Sequence, residues 1–480
     1  MVGRVGVVGA GIAGLAAAWH LVRKAPHLEV TILEGSSRVG GKLRLEQVGD
    51  IAVDVGAESV LARRPEAIQL FEELGLADRV THPARVPASI VSGGVRRPMP
   101  TGTLMGVPSD PESVRGLLTD AEVRRLSAEQ ETPPVETDVS VGELIDARLG
   151  PAVTDKLVEP LLAGVYAGNS RRLSLQMAVP SLFRAATEGT SLLEVARSAA
   201  RHAPAEGSDS EAGVPPVFAT VAGGLGTVPV ALASRLADLG VDVRTGTMVR
   251  RLQRRHVEGA DPQHQSLVLS TGPTTDVRRH VFDAVILATP AAPTARLLRT
   301  IAPDAAERLA AIEYASMAIV TLVLAGPAPE LLEGSGFLVP PTEQLTIKAS
   351  TFSSVKWPWL AAAHPDRTVL RASIGRHGEE AVLHRPDDDL VATALEDLTT
   401  VLGRPLPSPL AVHVQRWGGA LPQYAVGHLD RVAGLTEPAP GVALAGAVYG
   451  GVGVPACIAS GRRAADAVLT RLQGHGHGLR

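Results

Sequence analysis

Aromatic side chains are scarce in this chain: four Trp, four Tyr and six Phe among 480 residues. Its cores must therefore be built from aliphatic side chains, and a cage of stacked aromatic rings is poorly supplied. Cysteine is scarcer still. The single Cys457 has no internal partner, which excludes a disulfide scaffold and fits a reducing cytoplasm. Lysine supplies only five of the 46 basic residues, a bias read here as genomic composition. Neither charge sign dominates: 46 basic against 50 acidic residues leave −4, without the positive balance that nucleic-acid binding needs. Nucleic acid is thus not an expected partner. With 45% hydrophobic residues the chain is also neither a disordered tail nor a collagen-like fibre.

Two uncharged runs need explanation. The first, between Arg4 and Arg23, is spaced by glycines and followed by a second apolar segment rather than a cleavage region, so it is read as a buried strand, turn and helix and not as a leader. The second, Pro438 to Gly461, is long enough to span a bilayer. Its six glycines and three prolines would leave backbone groups unsatisfied in lipid, so no transmembrane segment is expected; peripheral membrane contact stays open.

Periodicity predicts a strand at Arg4–Val8, a helix at Ile12–Arg23 and a strand at Glu29–Glu34, a βαβ opening. Helical spacing recurs at Pro65–Leu74, Val141–Leu149 and Ala152–Leu162, and the stretch from Ser109 to about Ala200 reads as a helical insertion. His202–Pro216, rich in Ala, Gly, Ser, Glu and Pro, reads as a flexible loop. Strands are expected again at Val241–Arg244, Ser266–Ser270, Ala284–Ala288, Val320–Leu324, Leu345–Ser350 and Thr368–Ile374, with a covering helix at Asp387–Leu402. The terminal GHGHG has no ligand cluster around its two His, and no metal site is expected.

Gly9-Ala10-Gly11-Ile12-Ala13-Gly14 follows the first strand and opens the first helix. Alone the spacing is weak, but Glu34 ends the next strand 20 positions after Gly14, where a carboxylate meets ribose hydroxyls. Gly9 permits the tight turn, Gly11 a close backbone approach to a diphosphate at the helix N-terminus, and Gly14 close helix–strand contact. A 2′-phosphate would be repelled by Glu34, which disfavours NADP. Just beyond, Arg38-Val39-Gly40-Gly41-Lys42 places two glycines between two cations, a second phosphate-compatible turn that FAD uses and NAD does not need.

The set Gly9–Gly14, Glu34 and Arg38–Lys42 resembles the FAD-binding N-terminus of the amine oxidase and protoporphyrinogen oxidase superfamily. Further segments narrow the resemblance: Gly56-Ala57-Glu58-Ser59, EPLLAGVYAGNSRRLS (Glu159–Ser174), VAGGLGTVPVAL (Val221–Leu232), VILATP (Val285–Pro290), RWGGALPQYAVGHLDR (Arg416–Arg431) and LAGAVYGGVGVPACIASGRRAA (Leu444–Ala465). Within the family, RPMPTGTLMGVP (Arg97–Pro108), KASTFSSVKWPW (Lys348–Trp359) and VLRASIG (Val369–Gly375) look like the soluble coproporphyrinogen III oxidases of Gram-positive bacteria. Glu58 stands where some eukaryotic protoporphyrinogen oxidases carry Arg, and Ala456 where the family usually has Asp.

The resemblance implies an α/β fold with a Rossmann-like FAD-binding domain (1–65, 217–298 and 430–480), a mixed-sheet substrate domain (66–108 and 299–429) and a helical insertion (109–205), with a flexible loop at 202–216. It implies flavin contacts from Gly9, Ala10, Gly11, Ile12, Ala13, Gly14, Glu34, Gly35, Arg38, Gly41, Lys42, Gly56, Ala57, Glu58 and Ser59, with Val249, Trp417, Val452, Gly453 and Val454. Arg63, Arg64, Arg97, Lys348 and Arg371 are candidates for the substrate's carboxylates. The implied reaction is the six-electron aromatisation of coproporphyrinogen III in haem biosynthesis, with oxygen as acceptor and hydrogen peroxide as by-product. No side-chain base is assigned. A protoporphyrinogen IX oxidase, an amine oxidase served by Tyr424 and Tyr449, and a non-enzymatic escort protein are the alternatives, and contact with a downstream iron-inserting enzyme stays open.

Overall fold

The structure, a computed structural model, describes residues 3–202, 216–256 and 265–476. The loop expected at 202–216 falls outside the described residues except at its two ends, as do the last residues of the GHGHG tail.

Five parallel strands form the first sheet, in the order Asp242–Arg244, Glu29–Leu33, Arg4–Val8, Ala284–Leu287, Val442–Leu444. Arg4–Val8 lies at the centre and is covered on both faces, which is why it reads as an apolar run instead of an alternation. The helix Ile12–Lys24 that follows is buried continuously from Ile12 to Trp19. Its inner side meets the sheet and its outer side is crossed by the helix Val454–Gly476. The crossing is close: a Cβ on Gly461 would stand 2.2 Å from the carbonyl oxygen of Ala13. The uncharged run from Pro438 resolves into the short strand Val442–Leu444, a turn at Ala447–Tyr449 and the start of that last helix.

The second sheet is mixed and has seven strands: Ala411–Pro422, Tyr314–Ala325, Arg367–Ile374, Ile347–Thr351, Gly336–Leu338, Ser89–Ser92 and Val95–Pro98. All neighbours are antiparallel except Gly336–Leu338 with Ser89–Ser92. One face packs Leu370, Ala372 and Ile374 against Leu390, Ala394 and Leu398 of the helix Asp387–Leu402. A separate antiparallel sheet joins Val249–His256, Gln265–Thr271 and Arg278–Phe282.

Between Pro111 and His202 the described elements are all helical and share one aliphatic core, into which the fully buried Tyr424 inserts. Ser140 and Ser174 cap two of these helices, and Thr119 with Glu122 closes a capping box on a third. Two surface arginines of the region face acids: Arg115 with Glu112 and Asp120, Arg171 with Asp146 and Asp155.

Three elements differ from the sequence reading. The strand expected at Val320–Leu324 extends over Tyr314–Ala325 because both of its neighbours pair along most of that length. The edge strand Ala411–Pro422 carries His413, Arg416 and two glycines in place of an apolar run, and so gave no signal. The helix expected at Ala152–Leu162 is broken: Thr154–Val158 forms a wide π turn before Glu159–Tyr166. Pro160 has no N–H to donate into a regular helix, and the wide turn absorbs that loss.

Candidate active site

Gly9 ends the central strand with φ +103°, and its added Cβ would strike the carbonyl oxygen of Ala288 at 2.8 Å. Gly14 is tighter still, since a Cβ there would lie 2.0 Å from the carbonyl oxygen of Gly9. These two glycines serve the protein's own packing. Gly11 differs: its φ is −70° and its Cβ would meet no protein atom within 4 Å. An open approach to the backbone at a helix N-terminus, beyond the carboxyl ends of parallel strands, fits the diphosphate expected there.

Glu34 follows the second strand directly and turns back over the first glycine loop. Its Oε2 accepts from the Ala10 N–H at 2.7 Å and its Oε1 from the Ser36 N–H at 2.8 Å, which fixes the carboxylate at the carboxyl end of the sheet. The following segment closes over it: the N–H of Thr247 donates to the Glu34 carbonyl at 2.7 Å, and Met248 covers Gly35, where a Cβ would touch its Cε at 2.6 Å. Val249, next in line, is buried and opens the first strand of the third sheet. The family resemblance named Val249; Met248, whose exposed side chain carries no periodic signal, was not anticipated.

The second glycine turn lies against the first. Gly40 donates to the Ala10 carbonyl at 2.8 Å and bridges with Gly11. Arg38 spends its donors on its own turn, at the carbonyls of Val39 (3.2 Å) and Gly41 (2.9 Å), so it braces the loop. Lys42 is reached by solvent but hemmed in by protein, and burial lowers its pKa.

Every carbonyl from Asp54 to Gly56 is tied to the second sheet. Arg371 donates to Asp54 O (2.9 Å) and Gly56 O (3.0 Å), and Trp417 Nε1 to Val55 O (3.0 Å). The Gly56 position also abuts Lys42, whose carbonyl a Cβ would meet at 2.0 Å, and the Trp417 ring at 3.2 Å. Glu58 completes the clamp, with Arg371 at 2.9 Å and Lys356 at 2.7 Å. Burial alone would raise its pKa, but Lys356 and Arg371 outweigh it and hold it at about 2. Asp54 behaves oppositely: burial pushes it up to about 6, against the pull of the Gly226 and Leu225 N–H groups that donate to it.

Val452 leans on the helical core while Val454 and Cys457 join the nucleotide-fold core. Burial raises the Cys457 thiol to about 11, as befits a compact apolar residue. Tyr424 is fully buried, packs edge-on to Tyr166 at 5.7 Å and donates its hydroxyl to Ala447 O at 2.5 Å. It therefore wedges two modules together and forms no exposed wall of an aromatic cage.

The structure thus gathers Gly9–Gly14, Glu34, Gly35, Arg38–Lys42, Gly56–Glu58 and Trp417 along one line. It does not gather the five cations named for the substrate. Arg63 and Arg97 are exposed, Arg64 is exposed and paired with Glu66, and Arg371 is committed to the Glu58 loop. Lys348 is buried. Lys356 and Asp54 were not anticipated, because their role depends on contacts across domains that the sequence separates by some 300 residues.

The family model of flavin containing amine oxidoreductases matches residues 12–469. The coproporphyrinogen III oxidase of Mycobacterium tuberculosis is 36% identical over 472 residues, 97% of each chain. Human protoporphyrinogen oxidase is 32% identical over 485 residues, 96% of this chain and 98% of its own. A crystal structure from Exiguobacterium, provisionally designated a protoporphyrinogen oxidase, superposes with a TM-score of 0.83 at 30% identity, covering 98% of this chain and 99% of the other. Among the described residues no helix is long and apolar enough to cross a membrane.

The glycines separate folding from cofactor binding. Gly11→Ala should unfold in urea within about 0.5 kcal/mol of the unsubstituted protein when both lack cofactor, yet be purified without a bound dinucleotide. Gly14→Ala should lose about 1–3 kcal/mol even without cofactor, from overpacking. Cofactor retained by Gly11→Ala would remove the diphosphate from this loop.

Glu58 gives a pH signature. Its folded value of about 2 lies below the ordinary 4.5, so its charge stabilises the fold fully above pH about 4.5 and progressively less as pH falls toward 2. In urea unfolding from pH 6 to 3, the advantage of the wild type over Glu58→Gln should be constant above 4.5 and shrink below it. An advantage independent of pH would contradict the ion-pair account.

Proposed function

Because the chain belongs to the flavin-containing amine oxidoreductase family, we propose that this flavin-dependent oxidoreductase binds FAD and oxidises coproporphyrinogen III to coproporphyrin III, with oxygen as the electron acceptor. The observation that carries this reading is the end-to-end likeness to coproporphyrinogen III oxidases, 97% of both chains at 36% identity. The burial of Tyr424 adds to it, since its hydroxyl and both ring faces are used inside the protein.

When bound, the flavin accepts two electrons at a time, so loss of six electrons and six protons takes three cycles, each reducing one oxygen to hydrogen peroxide. The chain supplies position and shelter. Gly11 and the Gly40–Gly41 turn present backbone to the diphosphate, and Glu34 presents its carboxylate to the ribose. The Asp54–Glu58 loop, held by Arg371, Lys356 and Trp417, gives a fixed rail for the ring system. Gly164 and Val165 face outward from the helix Glu159–Tyr166 although their neighbours are buried, offering an apolar surface to a large substrate. The cytoplasm, where thiols stay reduced, suits a chain whose one cysteine is unpaired.

Purified protein should show flavin absorbance and, with coproporphyrinogen III in air, form fluorescent coproporphyrin with three hydrogen peroxide per porphyrin. Protoporphyrinogen IX, the substrate named for the human relative, should turn over about tenfold more slowly or less. Equal or faster turnover would assign the human relative's substrate instead, and no oxidation of either would overturn the proposal.

A further inference from the structure

One face of the seven-stranded sheet is filled by its aliphatic core. The other, on which Thr351 pairs with Arg371 and Ala349 with Ser373, is only partly covered. The pairing slips between Ile347 and Ala349, leaving Lys348 as the extra residue of a bulge, a device that re-aims a side chain. Lys348 is 4% exposed and its Nζ has no hydrogen-bond partner among the described residues. Beside it stands Arg376, 7% exposed: its Nη2 donates to Val339 O at 3.0 Å, and the Val339 N–H in turn donates to Lys348 O at 2.9 Å. The Nε of Arg376 is also buried without a partner.

Two adjacent buried basic groups with unspent donors are costly unless an anion joins them. The nearby carboxylates do not meet that need. Glu379 approaches Arg376 only at 3.6 Å and is 60% exposed, while Glu159 accepts from the Ser170 N–H at 2.7 Å and is itself pushed toward its neutral form by burial. The helix bearing Gly164 and Val165 lies over this spot: a Cβ on Gly164 would touch Leu338 at 3.7 Å, and the His377 N–H donates to Ala167 O at 2.8 Å. Lys348 lies three residues along its strand from Thr351, a backbone separation of about 10 Å, and Thr351 is the partner of Arg371, whose guanidinium holds the flavin-binding loop.

We propose that Lys348 and Arg376 form a subsite for one carboxylate of the substrate, a propionate reaching between the sheet and the helix Glu159–Tyr166 from a tetrapyrrole seated on the flavin side. This deepens the porphyrinogen reading and rests on it. Burial, joined by Arg376 and opposed by Glu379, lowers Lys348 to about 7, and a docked carboxylate restores its charge.

The test is a fluorescence titration of the flavin-loaded protein with coproporphyrin III and with its tetramethyl ester, which keeps the macrocycle and lacks the charges. Lys348→Met should weaken binding of the acid about tenfold or more and leave the ester within about twofold. It should raise KM for coproporphyrinogen III by a similar factor with kcat nearly unchanged, and Lys348→Arg should recover most of the loss. Unchanged acid binding, or equal loss of acid and ester, overturns the subsite. If the unsubstituted protein neither oxidises coproporphyrinogen III nor binds coproporphyrin III, the functional reading itself has failed; if it does both, only the subsite is at stake.

Discussion

The carboxylate of Glu58, shared between Arg371 and Lys356, is the contact on which the active-site architecture depends. It sits on a loop of the nucleotide fold, and both cations come from the second sheet and the turn after it. An isolated carboxylate at this depth would prefer to be neutral. Paired on both sides it is held ionised, and removing the carboxylate would leave the two cations facing each other without compensation. The same arginine reaches the Asp54 and Gly56 carbonyls, so one guanidinium fixes the loop's backbone as well as its charge. Trp417 fills the remaining place at Val55. Two modules interleaved along the chain are thereby locked in one relative position where the cofactor's ring system is expected to lie.

Much of the nucleotide fold was legible from Gly9–Gly14 and Glu34, because backbone close approach leaves glycine as the one residue that fits and glycine is visible in a sequence. The strands flanking it were also legible, being buried on both faces and apolar throughout. The second sheet was harder. Its edge strand Ala411–Pro422 mixes His, Gln, Arg and two glycines among its apolar residues, and the bulge at Lys348 interrupts any period-two pattern. Arg371 stood in a segment resembling the family, but its commitment to Glu58 rests on residues 313 positions apart, which no local pattern encodes. The reverse holds for Arg63 and Arg97: a cation in a family-like segment looks the same whether it faces ligand or water.

The economy of side chains is consistent with this arrangement. Where a fork of donors is needed, as at Asp54, Gly56 and Glu58, the chain uses Arg. Three of its five lysines stand near the proposed cofactor line or on the sheet face leading to it: Lys348 buried, Lys356 half-buried and Lys42 reached by solvent. Two of the four tyrosines are spent on joints between segments: Tyr424 on Ala447, and Tyr314 on the N–H of Ala291. The surface proposed for the substrate, at Gly164 and Val165, is glycine and aliphatic, suited to a broad apolar macrocycle.

The central claim is that a porphyrinogen delivers its electrons directly to the cofactor lying along this line. The most direct measurement is anaerobic mixing of the purified flavoprotein with limiting coproporphyrinogen III while the flavin's visible absorbance is followed. The account predicts prompt bleaching, up to three flavins per porphyrinogen, and recovery of the colour when oxygen is admitted. A flavin that stays oxidised while coproporphyrinogen III is present would contradict it.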